Sequence, residues 1–370
     1  MLVAGLVAGL CSLRFSDLPE RGVMEKSFHR MQRAGESLKT YAENQGIGLE
    51  AEDLEGTYLI GPEFSPLVTT MGYPDVKRTT LSPDSAALMV RLFTEAGLRK
   101  GDVVGVGTSG SFPGYLVAAL CAAEEMGLEV RLVASLGASM YGATRPELSI
   151  LTILSLLRQD GFHFEVVAVS PGGDGDQGKG AFEGLVYDGT GQLSRSLLHA
   201  SGFPVLDEKD LESNIRKRKA LLGKIACFVN IGGAEPNVGK GAEILGLAPG
   251  LVSRRRNLPL QADRGLVFAY LAEGVPVVNL LQVRKLASRY GIPFDPSPLP
   301  SEPSGPLYQS RIGPIWIPLA TLLLAVGILL WGKEIGIQKW PHRRCGHMAL
   351  VRFERATFSS GGRRSNPAEL

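Results

Sequence analysis

The sequence predicts an α/β protein: a doubly wound, mostly parallel sheet of Rossmann-like type, followed by a C-terminal transmembrane helix. Short apolar β-type runs alternate with helical patterns at βαβ spacing through residues 101–290, which is the signature of a parallel sheet covered on both faces. The loops that follow these runs are rich in Gly, Ser, Asn and Asp, and in such a sheet they gather on one edge. The membrane helix rests on Ile312 to Gly332, a stretch without a single charge and long enough to cross a bilayer.

Residues 1–15 form a short apolar stub without a basic leader region. It reads as a partial membrane anchor or a weak signal segment. Residues 16–56 carry charge with Val23, Phe28, Met31, Leu38 and Tyr41 at helical intervals, which predicts a juxtamembrane helix. Residues 57–84 contain prolines at 62, 66, 74 and 83 and are expected to be extended or looped. They also concentrate polar groups, and Glu63, Lys77 and Arg78 are candidates to reach a ligand at the sheet edge. Ser82–Pro83–Asp84 predicts the start of a helix that runs to about Ala96.

The ligand-binding α/β domain is assigned to residues 57–292, and its centre is residues 101–147. Val103 to Val106 predicts a strand, and Gly105, Gly107, Thr108, Ser109, Gly110 and Ser111 predict a glycine and hydroxyl loop. Pro113 then opens a helix to Met126. A second strand, Val130 to Ala134, runs into Ser135, Gly137, Ala138 and Ser139. Glycines let a backbone approach a ligand. Amides at a helix start attract an anion. Together they suit a phosphate, a carboxylate or a developing oxyanion.

Further strands are expected at Phe164–Val169, Ile225–Ile231 and Val275–Val278. The first ends at Ser170 and a loop with Asp174, Asp176 and Lys179; the second ends in Asn230, Gly233, Glu235, Asn237 and Lys240. Residues 242–262 read as loop, with a basic cluster at Arg254 to Arg256. Residues 293–311 are a Pro/Ser-rich linker to the membrane helix at 312–332, and 333–370 form a basic tail. Basic residues crowd behind the apolar span and are sparse before it. The main domain is therefore expected outside the cytoplasm, with one or two membrane passes.

Composition narrows the classes. The 370 residues have a formal net charge of +2, and no basic stripe points to nucleic acid. The 4 cysteines and 5 histidines show neither a CxxC nor an HExxH spacing, so no metal or other cofactor is indicated. Gly105, Gly107 and Gly110 fit G-x-G-x-x-G, but the acid that a dinucleotide fold places at the end of its second strand is missing. Ser109 or Ser111 is a candidate nucleophile, with Lys77 a candidate base in a Ser–Lys pair. The alternative is that these serines only donate hydrogen bonds to an anion. The remaining candidate ligand contacts are Glu63, Arg78, Gly107, Gly110, Ser135, Ser139, Ser170, Asp174, Asn230 and Gly233.

The strings IGPEFSPLVTTMG, GVGTSGSFPG, SLGASMYGATRPE, SPGGDGDQGKG and NIGGAEPNVG, in order between residues 57 and 240, resemble the poly-gamma-glutamate system protein family. That resemblance implies a membrane-anchored bacterial protein associated with poly-γ-glutamate synthesis and export. Its implied partners are γ-glutamyl polymer or a small anionic ligand, other membrane components of the system, and the lipid bilayer. It implies a pathway and no reaction. An accessory binding role, a serine-type amidohydrolase or transferase on γ-glutamyl amides, and a sugar-phosphate or nucleotide binding module all remain open at this point.

Overall fold

A computed structural model of the protein describes residues 14–180, 187–253, 258–260, 264–312, 323, 324, 326 and 327. These fall into two units. In the smaller, β1 (Arg14–Asp17) pairs antiparallel with the strand Gln309–Ile312. The larger unit, residues 19–308, carries the sheet and everything that follows.

In chain order the larger unit contains α1 (Arg21–Asn44), β2 (Val68–Thr70), α2 (Pro74–Leu81), α3 (Asp84–Glu95), β3 (Val103–Ser109), α4 (Pro113–Met126), β4 (Glu129–Ser135) and β5 (Ala138–Ser139). There follow α5 (Ile150–Gln159), β6 (Glu165–Ser170), α6 (Thr190–Ala200), α7 (Leu211–Leu222), β7 (Cys227–Ile231) and α8 (Glu235–Val238). Last come β8 (Gly250–Val252), α9 (Leu266–Ala272), β9 (Val277–Asn279) and α10 (Val283–Tyr290).

The central sheet has the order β6-β4-β3-β7-β9-β8. Its strands are parallel except β8, which runs antiparallel to β9. The chain therefore steps outward one way from β3 and then returns to build the other half. The order reverses between β3 and β7, the place where open α/β sheets hold ligands. Mixed α/β architecture with a mostly parallel sheet matches the sequence expectation.

Local chemistry explains these elements. Valines favour β3. Pro113 starts α4 at a position whose N–H has no helical partner, and Gly127 ends it in the left-handed conformation, φ 64. Met24, Phe28, Met31 and Leu38 form the buried stripe of α1, which packs on α3 and α4. The helix read as juxtamembrane is thus part of the layer that covers the sheet.

The structure departs from the sequence reading at several points. Residues 57–84 are not wholly extended: α2 lies inside them, because Pro74 occupies a first-turn position where proline costs no hydrogen bond. Ser82 ends α2 rather than capping α3, and its buried hydroxyl has no partner among the described residues. β3 runs on to Ser109, so Gly105 and Gly107 are strand residues and not loop residues. The expected loop at 242–262 contains β8. Residues read as linker pack on the domain: Tyr308 is fully buried and its hydroxyl donates to Asp84 Oδ1 at 2.7 Å.

The stub at residues 1–13, the Arg254–Arg256 cluster and the basic tail lie outside the described residues. The expected membrane span lies almost wholly outside them, and of it Leu323, Leu324, Val326 and Gly327 are helical. Among the described residues no helix is long and apolar enough to cross a membrane.

Candidate functional site

Three polar clusters stand at the carboxyl edge of the sheet. Strand register places them there: Ser109, Ser135 and Ser170 are neighbours across β3, β4 and β6. Gly107, Asn230 and Asn279 are neighbours across β3, β7 and β9.

The first cluster centres on Lys77, a side chain only 1 % exposed. Its Nζ donates to the Ser111 carbonyl at 2.8 Å and to Ser139 Oγ. It sits over the Phe112 ring, 4.3 Å from the centroid, where a cation is attracted by the ring face. The Ser139 N–H donates to Ser111 Oγ at 3.0 Å. Lys77, Ser111 and Ser139 therefore form one constellation, although they come from α2, the β3–α4 loop and β5. Ser109 stands beside it, its Oγ accepting from the Ser111 N–H at 3.4 Å.

A strap covers this constellation. β2 pairs in parallel with β5, the Ala138 N–H donates to Leu67 O and the Met140 N–H to Thr70 O, both at 3.0 Å. Ser65 Oγ donates to Thr144 O at 2.5 Å. Arg145, itself buried, fixes the far end on the carbonyls of Tyr58, Ile60 and Gly48 and on Glu50. Gly110 permits the close approach: a Cβ there would lie 2.8 Å from Ala138 Cβ and 3.0 Å from Leu136 O. Tyr141 holds φ 63, uncommon for a non-glycine residue. Burial and its hydrogen bond with exposed Glu63 push the Tyr141 hydroxyl up to about 12.

The second cluster is an interior network. Asp176 Oδ1 accepts from Ser170 Oγ at 2.9 Å, Gly172 N at 3.0 Å and Ser135 Oγ at 3.3 Å. Its Oδ2 accepts from Asn214 Nδ2 at 2.7 Å and an Arg218 guanidinium nitrogen at 2.9 Å. The same nitrogen donates to both serine hydroxyls. Asp176 and Arg218 are 0 % and 1 % exposed. A charge so deep in the protein is held only by a partner and further hydrogen bonds. Ser135 and Ser170, candidate ligand contacts, serve that purpose here. The sequence marks Asp176 only as a loop carboxylate beside Asp174 and does not mark Arg218. The aspartate is one of two in a glycine turn, and the arginine sits within a run of surface-type cations.

The third cluster is Asn230, Asn237 and Asn279, each fully buried. Asn230 Nδ2 donates to Asn279 Oδ1 at 3.2 Å. The Asn237 amide lies on Gly107, where a Cβ would come within 2.7 Å of its Oδ1 and 2.7 Å of Phe228 Cζ. Gly107 thus makes room for a side chain of its own protein. Asn279 was missed, although the repeated endings FVN at 228–230 and VVN at 277–279 mark it.

The other candidates are spread around the rim. Arg78 is committed to Asp295 through two bonds, 2.6 and 2.7 Å, and to Glu52 O. Asp174 is exposed in a tight turn closed by its N–H on Lys179 O. Gly233 is exposed, and Glu235 accepts from Gly175 N at 2.8 Å, joining the loops after β6 and β7. Burial raises the Glu235 carboxyl above the usual carboxylate range. Gly105, Gly107 and Gly110 all lack positive φ, so they do not form the looped backbone of a dinucleotide fingerprint. Among the described residues no cluster of His, Cys, Asp and Glu is placed to hold a metal.

No protein-family model matches the chain, and no curated protein matches it. A fungal L-serine ammonia-lyase from Rhizomucor miehei aligns over 58 % of this chain and 73 % of its own, at 12 % identity and a TM-score of 0.16. A similarity that low carries no argument about fold or activity.

Proposed function

We propose that this protein is a serine–lysine acyl-transfer enzyme of the cell envelope, acting on the amide bonds of a γ-glutamyl polymer or a similar anionic amide. The observation that carries this reading is the buried hydrogen bond between Lys77 Nζ and Ser139 Oγ, in which the amine, once neutral, can accept from the hydroxyl. A lysine next to a serine hydroxyl activates it as a nucleophile. In this proposal Ser139, and not the candidates Ser109 or Ser111, is the nucleophile, which the contact of its hydroxyl with the amine supports. Ser111 is a positioning residue, accepting from the Ser139 N–H.

In the proposed reaction, Ser139 Oγ attacks the amide carbonyl carbon while Lys77 Nζ, in its neutral form, accepts the hydroxyl proton. The C–N bond breaks, the proton passes to the leaving amine, and an acyl-Ser139 ester remains. Water then hydrolyses that ester, or an incoming amine takes the acyl group. Ser139 is 1 % exposed, so substrate reaches its hydroxyl only when the residues around it move.

The poly-γ-glutamate setting rests on the sequence resemblance, and the envelope location on the uncharged Ile312–Gly332 stretch and its basic flank. The partners in this setting are the polymer, other membrane components of its synthesis and the bilayer, with the folded domain outside the cytoplasm. A second reading is binding without cleavage, as an accessory protein. It is favoured by the burial of Ser109, Ser111 and Ser139, none more than 8 % exposed.

Incubation of the full chain with poly-γ-glutamate, followed by chain-length analysis, separates the two. Shortening or transfer by wild type but not by Ser139→Ala or Lys77→Met supports the enzyme. Binding with unchanged chain length supports the accessory role and sinks the enzymatic one.

A further inference from the structure

We propose that the Asn230–Asn237–Asn279 cluster is a binding site for a neutral carboxamide group, at the point where the strand order reverses. Four buried amide atoms of this cluster have no hydrogen-bond partner among the described residues: Asn230 Oδ1, Asn279 Nδ2, and both Asn237 Oδ1 and Nδ2. Buried polar groups are almost always paired, and leaving one unpaired is costly. Four such atoms on residues linked by strand register and by contact with Gly107 call for a missing partner.

The chemistry of that partner follows from the atoms. Two are acceptors and two are donors, so it must both donate and accept. Turning the Asn237 amide over exchanges its two atoms and leaves one donor and one acceptor still unpaired. Among the described residues no charged side chain bonds to any of the three asparagines. The Glu235 carboxylate on the same short helix is turned to Gly175 N. A charged occupant would be left without a counter-charge in a buried place. A carboxamide offers two N–H donors and a carbonyl, all neutral, and matches the four atoms. Position agrees, since the chain goes on from β3 to β4 and β6 on one side and from β7 to β8 and β9 on the other, and ligands of open parallel sheets bind where the order reverses. The three asparagines are 0 % exposed, so entry requires the residues around them to move. The site stands whether or not Ser139 cleaves anything.

The test uses the full chain with asparagine labelled by 15N, so that few side-chain NH2 signals are seen. Butyramide is titrated in, with butyrate as its charged isostere. The expected result is that three NH2 pairs move with butyramide and stay unmoved with butyrate. Asn237→Ala is expected to weaken the response of the other two roughly tenfold. If that variant does not fold, the wild-type titration alone decides. No movement with butyramide, or equal movement with both, means that the cluster holds only water and overturns the proposal.

Discussion

Lys77 and Ser139 meet inside the protein, the Nζ of one donating to the Oγ of the other, with each side chain 1 % exposed. They are 62 positions apart in the chain, and the pairing of β2 with β5 brings them together. Lys77→Met keeps the length of the side chain and removes the amine. Ser139→Ala removes only the hydroxyl. Both are expected to abolish acyl transfer, by at least about a hundredfold for loss of a base, while Ser109→Ala retains most of it. Rates on poly-γ-glutamate measure this.

The Asp176–Arg218 pair should behave as a structural element. Removing one partner leaves an uncompensated buried charge, and Asp176→Asn or Arg218→Met is expected to cost about 3–5 kcal/mol in urea unfolding. The double variant should cost less than the sum of the two singles. Additive costs would show that the pair is not coupled.

How far the sequence disclosed the fold is clear from particular elements. The alternation of strands and helices was legible because both periodicities are local. β8 escaped because three residues, Gly250 to Val252, carry no readable period. α2 escaped because four prolines within residues 57–84 point to extended chain, whereas Pro74 occupies a helix start. At the site, the sequence identified Lys77, Ser111 and Ser139 as separate candidates. It could not bring them together, since the pairing of β2 with β5 is a long-range contact. Ser135 and Ser170 were visible as polar strand ends. Of their partners, Asp176 was visible only as a loop carboxylate and Arg218 not at all, because solvated and buried charges look alike in a sequence.

Two glycines should respond oppositely to alanine. At Gly107 a Cβ would meet Asn237 Oδ1 and Phe228 Cζ at 2.7 Å, so Gly107→Ala is expected to destabilise by about 1–3 kcal/mol through overpacking. At Gly35, within α1, a Cβ would meet nothing within 4 Å. Gly35→Ala is expected to stabilise by roughly 0.5–1 kcal/mol through helix propensity. Thermal unfolding of both variants checks the pair.

The buried Asp84 carboxyl gives a pH signature. Burial raises it above its ordinary 3.8, opposed by the Tyr308 hydroxyl that donates to it. The folded state therefore holds this proton more tightly than the unfolded state. The stability it contributes is full at acid pH below 3.8 and is lost as pH rises through the higher folded value. Asp84→Asn, which keeps an acceptor for Tyr308, is expected to be more stable than wild type at neutral pH. The difference should vanish in acid, and melting curves across pH measure it.

The most direct measurement is mass-spectrometric mapping of the full chain after exposure to a serine-reactive fluorophosphonate. A single adduct on Ser139, lost in Lys77→Met, is the expected result. An unlabelled protein, or an adduct on Ser109 that survives Lys77→Met, would contradict the assignment of Ser139 and Lys77 as nucleophile and base.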